Sequence, residues 1–212
     1  MLIIGGTGKI GRELVKHYSS REKVFFTYHK NHELAQKLQE KFSARAVKLD
    51  LKNIDENSFG QIGGRERVIF TAGLFKRIEN ITREDLDELV DVNLKGPVYL
   101  AFKLIEEGSK NIVFLTDISG EVPYPSFPLN SVTSAGIFML IRTLARRFSP
   151  DVLINGIAIN ALSSPFPDYV KKLPMKRLPE INDIIKTLDF LLYENSYITG
   201  QILKLDGGRS LL

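Results

Sequence analysis

A doubly wound α/β domain is the fold this sequence predicts, and three observations carry it. Seven short runs of β-branched and apolar residues recur along the chain, amphipathic stretches separate them, and a glycine-rich turn follows the first run directly. The runs are too continuously apolar for a half-solvated sheet, so they fit parallel strands covered on both faces. Strand–helix alternation repeated this often places helices on either side of one sheet. With 212 residues, no internal repeat and no low-complexity linker, the whole span 1–212 reads as a single domain large enough to bury a substantial core.

The elements follow in order. Leu2–Ile4 is the first strand, and Gly6-Thr7-Gly8-Lys9-Ile10-Gly11 turns the chain into a helix over Arg12–Tyr18. Val24–Thr27 is the second strand; Leu34, Leu38 and Phe42, spaced by four, mark the helix after it. Ala46–Leu49 and Val68–Phe70 are the third and fourth strands. Thr82-Arg83-Glu84-Asp85 is a capping signal for the helix carrying Leu86, Leu89 and Val90. Ile112–Leu115 is the fifth strand. The stretch Asn130 to Leu140 then begins polar and turns apolar, as a helix does when it starts at a site and ends in the core. Leu153–Ile159 is the sixth strand, Ile181, Ile184, Leu188 and Leu191 stripe a last helix, and Ile202–Leu205 is the seventh strand. The one long irregular piece is 161–179, which holds four prolines and reads as a substrate-side loop or a plain connection. The expected sheet is parallel throughout, in the order 3-2-1-4-5-6-7.

Composition narrows the function classes. The net charge of +4 arises from 29 basic and 25 acidic residues scattered along the chain, without a Lys/Arg run that would form a nucleic-acid arm. Zero cysteines exclude disulfides, zinc–thiolate sites and thiol catalysis, and the three histidines lack metal-ligand spacing. No apolar stretch approaches the ~20 residues that span a bilayer, and Met1–Ile4 is too short for a signal peptide. A cytoplasmic protein with no metal, nucleic acid or membrane partner is the expectation.

The G-x-G-x-x-G pattern is weak alone. Between a strand and a helix it gains weight, because glycines let the backbone approach a pyrophosphate held at a helix N-terminus. At the end of the second strand an NAD site usually carries an acid for the ribose 2′-hydroxyl. Here Thr27-Tyr28-His29-Lys30-Asn31 offers none before Glu33, while Lys9, Arg12 and Lys30 could face a 2′-phosphate. NADP(H) is therefore expected in preference to NAD(H), with His29 and Lys30 among the contacts.

The pattern as a whole resembles the short-chain dehydrogenase/reductase family, and within it the 3-oxoacyl-carrier-protein reductase type. Leu49-Asp50-Leu51 resembles the segment with the family's adenine-contacting Asp. Phe70-Thr71-Ala72-Gly73 is similar to its Asn-Asn-Ala-Gly turn with both asparagines lost. Val92-Asn93-Leu94-Lys95-Gly96 resembles the segment with its active-site Asn. The tail Ser196–Gln201, with Leu205-Asp206-Gly207-Gly208, is the most specific match. Asn155–Ala158 and then Ser163-Ser164-Pro165 resemble the loop whose Thr holds the nicotinamide carboxamide, which puts Ser164 in that role; the usual Pro-Gly there is Ile159-Asn160. The glycine loop is one residue shorter than the family's. Ala135-Gly136-Ile137 and Arg142–Ala145 match the helix that begins with the family's Tyr-x-x-x-Lys, so that the Tyr position falls on Asn130 and the Lys position on Ser134. By the same alignment the catalytic Ser position is Asp117. Of the four family active-site residues only Asn93 remains.

What the resemblance implies is a Rossmann-type domain that transfers hydride between a nicotinamide and a carbonyl or alcohol, assembled as a dimer or tetramer through the helices starting near Val92 and Ser131. The substitutions bear on that chemistry. Asn130 does not titrate near neutral pH, Ser134 is short and uncharged, and an ionised Asp117 would stand where an oxyanion forms. At about 4 Å that repulsion is roughly 1 kcal/mol in water and about 4 at an effective dielectric near 20. Loss of general acid catalysis costs about 10²–10⁴-fold. Tyr124, Tyr169, Lys171 and Lys172 are the nearest residues able to stand in. Two readings result: an NADP(H)-linked oxidoreductase acting on a small molecule with an altered proton-transfer site, or a catalytically silent nucleotide-binding protein that senses cofactor or serves as a partner subunit.

Overall fold

The alternation within each strand dictates how the layers form. In the computed structural model, which describes residues 1–77, 81–163 and 167–212, Leu2 and Ile4 point to one face of the sheet and Ile3 to the other. Val68 and Phe70 oppose Ile69, and Ile112 and Phe114 oppose Val113, in the same way. A strand apolar at every position must be covered twice. The strands are β1 (Leu2–Ile4), β2 (Phe25–Tyr28), β3 (Arg45–Lys48), β4 (Arg67–Phe70), β5 (Asn111–Asp117), β6 (Leu153–Ile159) and β7 (Ile202–Leu205). They form one parallel sheet in the order β3-β2-β1-β4-β5-β6-β7, as expected.

The helices are α1 (Gly11–Tyr18), α2 (His32–Phe42), α3 (Glu56–Ile62), α4 (Arg83–Val90), α5 (Gly96–Glu106), α6 (Pro128–Phe148), α7 (Pro167–Lys172) and α8 (Ile181–Asp189). One face of the sheet is covered by α3, α5 and α6 through residues such as Ile62, Leu104 and Ile141. On the other face lie α1, α2 and α8, through Leu14, Leu38 and Leu188. Each of these side chains loses nearly all contact with water, and full burial of one aliphatic side chain is worth about 1.5–3 kcal/mol. The capping signal forms: the Thr82 hydroxyl accepts from the Asp85 N–H at 3.1 Å and the Asp85 carboxylate reaches back to Thr82.

Some boundaries differ from the sequence reading. β2 and β3 are each displaced by one residue, β4 starts one residue earlier at Arg67, and α1 begins at Gly11. β5 runs from Asn111 to Asp117, past the apolar run on both sides. Its polar end stays extended because Thr116 and Asp117 pair with Ala158 and Ile159 of β6; ladder hydrogen bonds set the strand end, not polarity. The segment 161–179 is not wholly irregular, since it contains the short helix α7. Among the described residues no cluster of three or more metal-ligating side chains occurs, and no helix is long and apolar enough to cross a membrane.

Candidate cofactor and reaction site

The sheet order reverses between β1 and β4, since the chain winds outward through β2 and β3 and then returns to the far side of β1. Loops leaving these two strands diverge to opposite faces, which opens a crevice at their carboxyl ends, the place where open α/β sheets take ligands. Two cavities occupy it. Thr71, Ala72, Gly73 and Leu74 line both, so the two are halves of one trough.

The first half, about 320 Å³, lies over the glycine turn. Its floor is backbone. The Gly5 N–H donates to the Thr27 hydroxyl at 2.9 Å, Gly6 N–H to the Thr27 carbonyl at 2.8 Å, and Gly8 N–H to the Gly5 carbonyl at 3.0 Å. At Gly5 and Gly11 neighbouring backbone leaves no room for a side chain. Gly5 has φ +92° with Ala72 so close that a Cβ would stand 2.7 Å from its Cα, and a Cβ on Gly11 would stand 2.2 Å from the Gly5 carbonyl oxygen. The close turn this permits aims the start of α1 at the crevice.

Of the sequence-predicted cofactor residues, Thr7, Gly8, His29, Lys30, Leu51, Ala72 and Gly73 line this half. Gly6 sits against the Phe26 ring beneath the turn. Ile10 lines the other cavity. Lys9 is exposed and Arg12 lines a separate groove between α1 and α2. Asp50 closes its own turn, accepting from the Lys52 N–H at 2.9 Å, and its other oxygen lies 3.5 Å from His29 Nε2. Ser164 lies outside the described residues. The exposed Lys30 ammonium is thus the cation that the strand end presents to the cavity, beside the His29–Asp50 pair.

The second half, about 190 Å³, brings together all four residues aligned with the family's active site: Asn93, Asp117, Asn130 and Ser134. Asn93 comes from a π-helical turn over Asp91–Lys95, Asp117 from the end of β5, and Asn130 and Ser134 from successive turns of α6. Two of the four have their amides engaged. Asn93 accepts from the Leu74 N–H at 2.7 Å and donates to the Leu74 carbonyl at 2.8 Å; Asn130 Nδ2 donates to that same carbonyl at 2.7 Å. Asn130 also accepts from the Lys76 N–H at 3.4 Å. The loop following β4 is therefore clamped along the cavity, with Phe75 stacked on Phe127 and Lys76 paired to Asp85. Sequence reasoning missed this clamp. An asparagine at the head of a helix carries no signal of which distant backbone it will grip.

Asp117 is half-buried, and its Oδ1 accepts from the Ser119 N–H at 2.7 Å. Burial pushes its carboxyl above the usual carboxylate range, opposed by the hydrogen bonds from Ser119. Ser134 is 8% exposed and lines the cavity.

The candidate stand-ins fall on the far rim. Tyr124 and Tyr169 both donate to Asn160 Oδ1, at 3.4 and 2.6 Å, and the Arg209 guanidinium lies 5.8 and 6.0 Å from their ring centres. Burial raises the Tyr124 hydroxyl's pKa, and Tyr169 and Asp117 raise it further. Neither phenol lines the reaction cavity. Lys171 is paired with Asp168 at 3.1 Å and Lys172 is exposed.

Comparison with known proteins agrees with this arrangement. The family model described as enoyl-(acyl carrier protein) reductase matches residues 8–210. The 3-oxoacyl-[acyl-carrier-protein] reductase FabG of Staphylococcus epidermidis is 26% identical across 98% of this chain and 97% of its own length. The crystal structure of FolM alternative dihydrofolate reductase 1 from Brucella canis, complexed with NADP, is 26% identical with a TM-score of 0.89, covering 100% of this chain and 93% of that one. BdcA in complex with NADPH superposes with a TM-score of 0.87 at 22% identity, over 97% of this chain and 92% of its own, a likeness of fold alone.

Proposed function

The chain belongs to the short-chain dehydrogenase/reductase family, and from that premise we propose that it is an NADP(H)-binding oxidoreductase acting on a small molecule. The observation that carries this reading is the continuous trough: the glycine turn and Lys30 at one end, Asp117, Asn130 and Ser134 at the other, and the Thr71–Leu74 wall common to both. Such a trough suits a dinucleotide laid across the β1/β4 switch, adenosine over Leu51 and nicotinamide beside Ile10 and Ile159. A relative solved with NADP supports the choice of cofactor. The bound nicotinamide would supply or accept the hydride.

The chain's own residues would do the rest. The backbone N–H groups at the start of α1 would meet the pyrophosphate, and Lys30 would face the adenosine 2′-phosphate. Ser134 lines the space where substrate would sit, while the Thr133 hydroxyl is spent on the Leu129 and Asn130 carbonyls of its own helix. Asn130 holds the Leu74 carbonyl and is the aligned Tyr position, so no titrating phenol stands there. We also infer self-association through the outer faces of α5 and α6, where Tyr99, Val132 and Met139 are 46%, 63% and 59% exposed. Light scattering showing only monomer at micromolar concentration would refute that part.

Titration of the full chain with NADPH, followed by absorbance at 340 nm across carbonyl, alcohol and imine panels, tests the main reading. Micromolar NADPH binding with turnover of at least one class is expected. Failure to bind either nicotinamide form would end it.

A further inference from the structure

Asp117 is the only ionisable side chain among the described residues lining the reaction cavity. The other lining groups are apolar carbons such as Phe70, Phe114 and Ile137, or neutral hydroxyls and amides. Among the described residues no cation is paired with it: burial and Ser119 are what act on its carboxyl, and Arg209 lies over the rings of Tyr124 and Tyr169. Asp117 itself disfavours ionisation of Tyr124, whose neighbours are Tyr169 and Arg209, while Glu121 farther along the chain is paired with Lys204.

A lone carboxylate in an apolar cavity is a poor host for carbonyl reduction. That reaction builds negative charge on oxygen and then needs a proton, and the cavity offers repulsion and no titrating phenol. The same cavity is a good host for a cation, since low polarity strengthens the pairing. We propose that its substrate position takes an organic cation bearing a protonated C=N bond, an iminium, rather than a neutral carbonyl. This rests on the oxidoreductase reading above and narrows its substrate class.

The chemistry balances without a general acid. The iminium carbon gains hydride from the reduced nicotinamide, the C=N π pair becomes the lone pair on nitrogen, and the cofactor leaves oxidised; the proton on nitrogen arrives from water with the substrate. Positive charge passes from substrate to nicotinamide and stays inside the cavity. Asp117 therefore faces one cation before the transfer and one after it, and no anion ever forms beside it. On this account Asn130 and Ser134 lack nothing: an electrophile already charged needs neither a phenol to protonate it nor a lysine to tune that phenol.

The experiment compares N-methyl-3,4-dihydroisoquinolinium, a permanent cation, with 1-tetralone, a neutral carbonyl of the same ring size. Both are titrated calorimetrically onto the full chain, free and loaded with NADPH. The cation is expected to bind at least about tenfold more tightly, as one ion pair in a partly solvated cavity provides, and to be reduced at 340 nm where tetralone is not. Asp117→Asn, which keeps an oxygen for the Ser119 N–H, should bring the two affinities within about threefold; Asp117→Glu should retain the preference. Tetralone bound or reduced as well as the cation, neither ligand bound, or a preference that survives Asp117→Asn would each overturn the proposal. Loss of NADPH binding with cation binding intact would instead strike the cofactor reading, so the two failures are distinct.

Discussion

The two halves of the trough share the Thr71–Leu74 wall and are built from different materials. The glycine half is shaped by backbone: a tight turn closed by N–H bonds to Thr27 and Gly5, a positive φ at Gly5 and a missing Cβ at Gly11. The reaction half is lined by side chains, Asn93, Asp117, Asn130 and Ser134, drawn from three different elements. A backbone site tolerates many side chains so long as the turn survives. A side-chain site changes its chemistry with each residue exchanged. Within one domain, cofactor binding and reaction type can therefore part company.

The largest effect should come from breaking the backbone half. Gly11→Ala places a Cβ 2.2 Å from the Gly5 carbonyl oxygen, a contact that only movement of the turn can relieve. Overpacking of this kind costs about 1–3 kcal/mol, and the displaced N–H groups should lower NADPH affinity about a hundredfold or more. Calorimetry and thermal denaturation together check it. Unchanged affinity would show that the turn does not carry the pyrophosphate.

A smaller effect sharpens the comparison from the other end of the same half. Lys30→Glu exchanges the exposed cation at the rim for an anion, and should reduce preference for NADPH over NADH about tenfold at low salt, less at high salt. Equal affinities for the two cofactors in the wild type, unaltered by the exchange, would remove Lys30 from the 2′-phosphate.

The backbone half was also the legible one. Glycines, strand and helix signals lie within a few residues of one another, so the sequence from Leu2 to Gly11 states its own geometry. Parallel sense followed from the continuous apolar runs, and sheet order from the doubly wound pattern. Strand ends were less legible, because Asp117 stays extended through pairing with Ile159, a partner 42 positions away in sequence. In the reaction half Asn93, Asp117, Asn130 and Ser134, singled out by alignment, line one cavity, and the alignment did not show what they hold. The grip of Asn93 and Asn130 on Leu74 spans 19 and 56 residues, and no periodicity encodes such a contact. The convergence of Tyr124 and Tyr169 on Asn160 was invisible for the same reason.

The clamp itself gives an intermediate prediction. Asn130→Ala leaves the Leu74 carbonyl with Asn93 as its remaining partner, and should cost about 1 kcal/mol. Amide exchange at Leu74–Lys76 should quicken while the N–H groups of the glycine turn keep their protection. Equal quickening in both places would mean that the shared wall transmits the loss and the halves are not independent.

The smallest effect is the pH dependence of stability at Asp117. Its carboxyl is held above the ordinary range by burial. An acid whose folded pKa is raised binds more protons folded than unfolded between the two values, so stability falls as pH rises through that window. Below the ordinary carboxylate value of about 4 the group is protonated in both states and costs nothing. Asp117→Asn removes the titration and keeps the Ser119 cap. The variant should melt with the wild type near pH 4 and above it by pH 8, the gap opening as pH rises and levelling beyond the folded pKa. For a chain of this size each kcal/mol is worth about 2–4 °C, well within reach of calorimetry. The opposite sign, with the wild type more stable at high pH, would mean that Asp117 already has a cation in the folded protein. The reaction half would then be a closed ion pair, with no charge left for a substrate.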